Sequence, residues 1–431
     1  MYRDLLRNCA CDLCSAFHSY VKGFGLMKVS AIICEYNPLH NGHLHHIEET
    51  RKNGATHLIG VLSSNFVQRG DVAMISKFDR AHLAVNAGID LVIELPSPFS
   101  CAAAEVYATG AISLLNALGI VDELSFGSSL GDMESIFLLK EASLSTTEIY
   151  GKQIREHMKK GESYPSAVWA VVQQRYGEHV SEMMHDPNNL LAIEYLKAMQ
   201  KLNVSFEPFT ILRRCVMHDS FETKESFASA SFIRKCISEG DFSCLDYVPS
   251  YTKKVISERI QQGKIANIRH LEKLILYKMR TISEEEILSL PDMNEPLMNR
   301  FFSARTENSL DAFFARVKSK CYTMSRIRRI VMCALAGIEK KMILKSPPYA
   351  RVLAFNERGR ELMNITRKTS KIPVHTSLAK LRNEGADEKK FVCLEEKVSH
   401  IYGLAQETFS SAEEDFRARI VMETKKWNYQ E

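Results

Sequence analysis

Residues 28–34 read KVSAIIC, and residues 35–46 follow at once as EYNPLHNGHLHH. The first stretch is short, apolar and β-rich, so it predicts a strand. Pro38 marks a turn, and Gly42 stands where a helix begins that runs to about Lys52. A strand handing over directly to a helix is the opening unit of a layered α/β sheet. The start of such a helix offers free backbone N–H groups and a positive dipole end, which suits phosphate. Gly42 lets the backbone come close to a ligand. His40 and His43 lie three apart and can face one way. Two imidazoles there can donate hydrogen bonds to oxygens that gain charge as an α-phosphate is attacked.

Outward from this turn the alternation continues. THLIGVL (56–62), DLVIEL (90–95) and residues 121–126 predict three more strands. Helical spacing lies between them at 78–88 and 101–118. This is the pattern of a doubly wound parallel sheet of α/β class, with ligands bound beyond the carboxyl ends of the strands. The loops after Cys34, Leu62, Leu95 and Phe126 are therefore expected to meet at one site. A helix at 189–202, an added strand at 205–213 and a short helix at 228–239, opened by Ser229 or Ser231, extend the unit. Residues 246–344 read as mostly helical, with frequent Lys and Arg. RVLAF (351–355) restarts a strand and opens a small C-terminal α/β unit. The expected division is 27–245 for nucleotide binding and catalysis, 246–345 for a basic helical region, and 346–431 for the terminal unit.

The chain has 431 residues, too many for one ordinary core. Its net charge of +4 neither demands nor excludes nucleic acid, so local distribution matters more. Eleven scattered cysteines do not form a secreted disulfide framework and point to a reducing, cytoplasmic setting. No apolar run approaches the length of a membrane span, so no membrane partner is expected. Residues 1–26, with Cys9, Cys11 and Cys14, lack a second pair at zinc spacing. They are read as a disordered extension, or as sequence ahead of a start at Met27. His185–Asp186 and His218–Asp219 lack a third ligand, and no metal site is assigned to them.

HNGH (40–43) matches the HxGH signature of nucleotidyltransferases. Further segments are SNFVQRGD (64–71), Lys77 with Arg80, DLVIELP (90–96), FGS (126–128), PNNLLAIEYL (187–196), ASASFIRK (228–235) and RVLAFNERGREL (351–362). In order and spacing these resemble the bacterial tRNA(Met) cytidine acetate ligase family, from Met27 to the C-terminus. The resemblance implies that ATP and acetate give acetyl-adenylate and diphosphate. The wobble cytidine of elongator tRNA(Met) then takes the acetyl group on N4, giving N4-acetylcytidine and AMP. It implies a nucleotide loop of Ile33, Cys34, Glu35, Tyr36, Asn37, Pro38, Leu39, His40, Asn41, Gly42, His43, Leu44, His45 and His46, with His40 and His43 catalytic. Gly127, Asn188 (with Asn189 its neighbour) and Arg213, beside Arg214, match the other nucleotide positions. Mg2+ is expected as the counter-ion of ATP. Ser64 stands where the family usually has glycine.

Other residues are read from the pattern alone. Arg69, Lys77 and Arg80 fall near the carboxyl-end loops, either contacting phosphate or tRNA or forming a solvated face. Glu35 is taken as support rather than as a base. Arg326, Arg328, Arg329 and Lys340 form a basic cluster read as a tRNA surface. Two other functions stay open at this level. One is a small-molecule adenylyltransferase, against which the long basic helical region speaks. The other is a tRNA-binding protein with a non-catalytic nucleotide site, against which the intact His40, Gly42 and His43 speak.

Overall fold

The computed structural model describes residues 27–213, 227–411, 414–418 and 420–423. The 1–26 extension, Arg214, His218 and Asp219 lie outside the described residues. The chain opens with β1 (Val29–Cys34), α1 (Asn41–Lys52) and β2 (His57–Ser63). A small hairpin of β3 (Phe66–Val67) and β4 (Asp71–Val72) follows. Next come α2 (Lys77–Asn86), β5 (Leu91–Leu95), α3 (Ala104–Leu118) and β6 (Glu123–Ser128). Local chemistry sets the ends. The Ser76 hydroxyl accepts the Asp79 N–H at the start of α2, and α3 stops at left-handed Gly119. Four helices occupy 133–185, before α4 (Pro187–Lys201), β7 (Glu207–Leu212) and α5 (Ala230–Ser238). Ser229 caps α5. A helical region follows and contains α6 (Met324–Ala336). The chain closes with β8 (Ala350–Asn356), α7 (Glu357–Thr369), β9 (Val374–His375), α8 (Ala386–Leu404), α9 (Glu414–Arg417) and β10 (Val421–Glu423).

The main sheet runs β10-β8-β5-β2-β1-β6-β7, with β9 also paired to β8. From β5 to β7 every pair is parallel. β2 is buried along its whole length, the usual state of a strand covered on both faces. One face packs against α3, α4 and α7, and the other against α1, α2 and α5. The 133–185 helices and the later helical region each have a core of their own. Phe301, Phe313 and Phe314 are buried in the latter, and Phe302 packs against it.

The terminal α/β segment is continuous with the central sheet. β8 lies antiparallel to β5, with Leu91 opposite Phe355 and Glu94 opposite Arg351. Without β8, the apolar β5 would be an open edge.

Lys77 and Arg80 depart from both sequence readings, since each is fully buried. The Arg80 guanidinium donates to the carbonyls of Glu35, Ser63, Ser64 and Ile75, at 2.7–3.2 Å. It staples the loops after β1 and β2 and reaches no phosphate site. Lys77 Nζ lies 2.7 Å from Glu94 and 2.9 Å from Asp415. Arg351 closes the cluster against the same two carboxylates. The Ser64 hydroxyl turns away from the nucleotide loop into this cluster, 2.9 Å from Glu94 and 2.7 Å from Glu395.

Candidate active site

The order in which strands are added reverses between the parallel β1 and β6, because the chain builds outward from β1 on one side and then crosses to the other. Such a switch point leaves a crevice at the carboxyl ends of the two strands. A cleft lies there, lined by Gly42, His43, His45, His46, Gly127, Ile211, Leu212 and Arg213. The first turns of α1, the end of β6, and the end of β7 with Arg213 beyond it thus form the cleft. Contrary to the expectation of one common site, the loops after β2 and β5 contribute no lining residue. Their ends turn instead toward the buried cluster around Glu94.

His40 is the N-cap of α1, and its Nδ1 accepts the Gly42 N–H at 3.1 Å. His43 Nδ1 accepts the His40 N–H at 3.3 Å. The two side chains form a reciprocal capping box, built from histidines in place of the usual serine and glutamate. The rings stack at 3.7 Å, and Tyr36 meets His43 edge-on at 5.0 Å. With both Nδ1 atoms accepting, each neutral ring carries its proton on Nε2, the donor an oxyanion needs. Burial, with the Arg213 and Arg234 charges behind it, pushes the His40 imidazole down to about 3. His43 is lowered by burial first, then by His40 and Arg213. His46, lowered to about 3 by burial and Arg213, is fixed by a 3.0 Å hydrogen bond to Ser125. These rings are therefore held neutral rather than cationic.

Arg213 follows β7, and its Nη1 donates to Asn188 Oδ1 at 2.7 Å. Asp186 caps α4 by accepting the Asn188 N–H at 2.7 Å. Asn189 faces elsewhere, bonding Ser129 N and Met183 O. Of the neighbouring pair, Asn188 is thus the one that orients the arginine. A Cβ at Gly127 would stand 2.8 Å from Arg213 Cγ, so glycine there lets that side chain cross the end of β6.

The rest of the predicted loop divides by role. Ile33 and Cys34 end β1, with Ile33 packed against one core and Cys34 buried in another. Leu39 is fully buried, and Leu44 packs beside it. Asn41 opens α1. Tyr36 takes a positive φ of 44°, and Pro38 follows Asn37 through a cis bond. Asn37 accepts Met74 N–H on its side chain and Arg234 Nη1 on its carbonyl, each within 2.8 Å. Glu35 accepts the Gln68 N–H at 2.9 Å, in keeping with a supporting place. His45 lines the cleft, with its ring edge-on to Phe227. Sequence reasoning did not assign Ser125, Leu212 or Arg234 to this neighbourhood. Arg234 lay within a quoted segment, ASASFIRK, which was the available signal.

An HxGH turn capping the first helix of this sheet, facing the end of β6, defines a nucleotidyltransferase of the HIGH class. The family model described as HIGH Nucleotidyl Transferase matches residues 27–416, and the chain belongs to that family. Within it, the chain belongs to the tRNA(Met) cytidine acetate ligases. It is 36% identical to the tRNA(Met) cytidine acetate ligase of Caldanaerobacter subterraneus subsp. tengcongensis, over 92% of this chain and 100% of that one. It is 34% identical to that of Clostridium acetobutylicum, again over 92% and 100%. The crystal structure of apo Thermotoga maritima TmcAL (form I) superposes with a TM-score of 0.84 at 28% identity, covering 93% of this chain and 100% of that one. The form bound with alpha-thio ATP gives 0.82 at 28% identity, covering 92% and 100%.

Proposed function

We propose that the protein activates acetate with ATP and acetylates N4 of the wobble cytidine of elongator tRNA(Met). An acetate oxygen attacks the α-phosphorus, the bond to the β-phosphate oxygen breaks, and diphosphate leaves. The cytidine N4 then attacks the acetyl carbonyl, loses a proton and expels AMP. The observation that carries this reading is the cleft joining the α1 N-terminus, His43, Gly127 and Arg213 in a chain of this family. The helix start and Arg213 suit the triphosphate, and the Nε2–H donors of His40 and His43 suit charge gathering at the α-phosphate. Acetate is already ionised, so this step needs no general base. Positioning and charge stabilisation are enough. No carboxylate lines the cleft, so magnesium fits as the counter-ion that ATP brings on its own phosphates.

No helix among the described residues is long and apolar enough to cross a membrane. The test is incubation with ATP, labelled acetate and unmodified elongator tRNA(Met), followed by digestion of the RNA. N4-acetylcytidine at the wobble position is the expected product. Diphosphate release triggered by a phosphorylated metabolite, with acetate inert, would move the protein to a different adenylyltransferase activity.

A further inference from the structure

The four basic residues read as an RNA surface are not equivalent once folded. Arg326 donates twice to the Asp292 carbonyl, at 2.9 and 2.6 Å. Arg329 pairs with the Asp292 carboxylate at 2.8 Å. Lys340 reaches the carbonyls of Leu288 and Met293. These three hold one segment, residues 288–293, where a helix ending at Ser289 passes into a turn. Arg328 differs. Its carboxylate neighbour, Asp71, is 3.6 Å away, its guanidinium lies 5.8 Å from the Phe314 ring, and its Nε is buried without a hydrogen-bond partner among the described residues.

Asp71 belongs to the β3–β4 hairpin, whose tip meets α6 at this point. Gly70 has a φ of +73°, and a Cβ there would stand 2.2 Å from Arg329 N and 2.6 Å from the Arg328 carbonyl carbon. The tip therefore sits flush on the α6 backbone. One residue earlier, Arg69 is exposed and makes no hydrogen bond or ion pair with another described residue. Gln68 N–H ties the hairpin to Glu35 of the nucleotide loop, and Arg234 donates to Asn37 O of the same loop. Arg234 is close enough to feel the charges of Glu35, Asp71, Arg69 and Arg328. Three guanidiniums from three elements thus share a neighbourhood with two carboxylates, each of which already accepts a backbone N–H. Like charges gathered beyond their counter-charges favour an added anion. Arg69 and Arg328 do not line the nucleotide cleft, so that anion is not the triphosphate held there.

We propose that Arg69 and Arg328 form a seat for a backbone phosphodiester of the RNA substrate, on the rim between the nucleotide loop and α6. This rests on the RNA-acylating reading above. A guanidinium fork matches phosphate oxygens, and such a contact fixes where the strand lies without choosing the base. Through Gln68 and Glu35 the seat has a fixed place relative to the histidines, so docking there brings one nucleotide to the adenylate.

The test compares wild type with Arg69→Ala, Arg328→Ala and the double variant. It reads acetate-dependent ATP–diphosphate exchange without RNA, and acetyl transfer to tRNA(Met) across a salt series. Exchange is expected to stay within about twofold of wild type. KM for tRNA rises about tenfold per residue, and the salt dependence of tRNA binding becomes shallower by about one per lost contact. Arg328→Lys, which keeps the charge and α6, recovers part of the loss. An unchanged KM for tRNA overturns the proposal. So does an equal loss of exchange, which would assign these arginines to the nucleotide or to folding. Wild-type protein that exchanges ATP with acetate but acylates no tRNA would sink the seat. Wild-type protein that does neither sinks the function reading itself.

Discussion

Each stacked imidazole at the start of α1 accepts a backbone N–H on Nδ1, so its own proton sits on Nε2. His40, with its pKa depressed to about 3, stays neutral across the working range. Its Cε1 proton resonance in the free protein should not titrate between pH 5.5 and 8, and movement with a midpoint near 6.5 would refute the neutral pair. Its folded pKa lies below the unfolded 6.5, so its stability contribution is complete above pH 6.5 and is lost as pH falls toward 3. Removing one oxyanion donor costs on the order of 10²–10³ in rate. His43→Ala should lower acetate-dependent exchange by that factor with its melting temperature close to wild type. Retained activity would dismiss the assigned site. These residues were legible because the motif is local, four consecutive residues at the start of one helix. Asn188 and Arg213 were reached through resemblance alone, because their hydrogen bond joins the ends of α4 and β7.

Lys77, Glu94, Arg351, Asp415, Glu395 and Ser64 join α2, β5, β8, α9, α8 and the end of β2 in one dry cluster. Its three carboxylates outnumber its two cations. The Ser64 hydroxyl has one hydrogen and two carboxylate neighbours, so one of those groups must itself donate. Burial, with Glu94 next to it, raises Glu395 to about 7, which makes it the proton holder. A raised acid contributes its stability below the unfolded value of 4.5 and loses it as pH rises toward 7. Glu395→Gln should therefore flatten the decline in urea-unfolding free energy between pH 5 and 7.5, and an unaltered slope would place the proton elsewhere. Lys77→Met leaves Arg351 as the cluster's one remaining cation for the buried Glu94 and Asp415 and should cost about 3–5 kcal/mol, read from the same unfolding curves. A shift under 1 kcal/mol would mean that water reaches the cluster. Lys77 and Arg80 looked like surface cations in the sequence. Their burial depends on partners far along the chain or on backbone carbonyls, and neither leaves a pattern in a local window.

Alternation of strand and helix was enough to read the parallel half of the molecule, since each βα step is a near neighbour of the next. The antiparallel union of β8 with β5 was not legible, because nothing local marks which edge a distant strand will join. The union has a measurable consequence. A chain ending before Ala350 should fail to give a cooperative urea transition or remain soluble, because β5 loses its partner and Lys77 and Glu94 lose Arg351 and Asp415. A soluble, cooperatively unfolding fragment would show that the parallel strands suffice alone.

The position of β8 in the chain also bears on how the molecule is made. A ribosome delivers β5 long before it delivers β8, and at about 5–20 residues per second that interval lasts on the order of ten to fifty seconds. By the end of it the nascent chain carries β1, β2, β5, β6 and β7 with the apolar β5 edge uncovered and a lysine–glutamate pair awaiting its other half. The HNGH turn is synthesised well before β8, yet the sheet that supports it closes only when β8 arrives. A growing chain is thus most open to aggregation, or to capture by a chaperone, when most of its active site already exists.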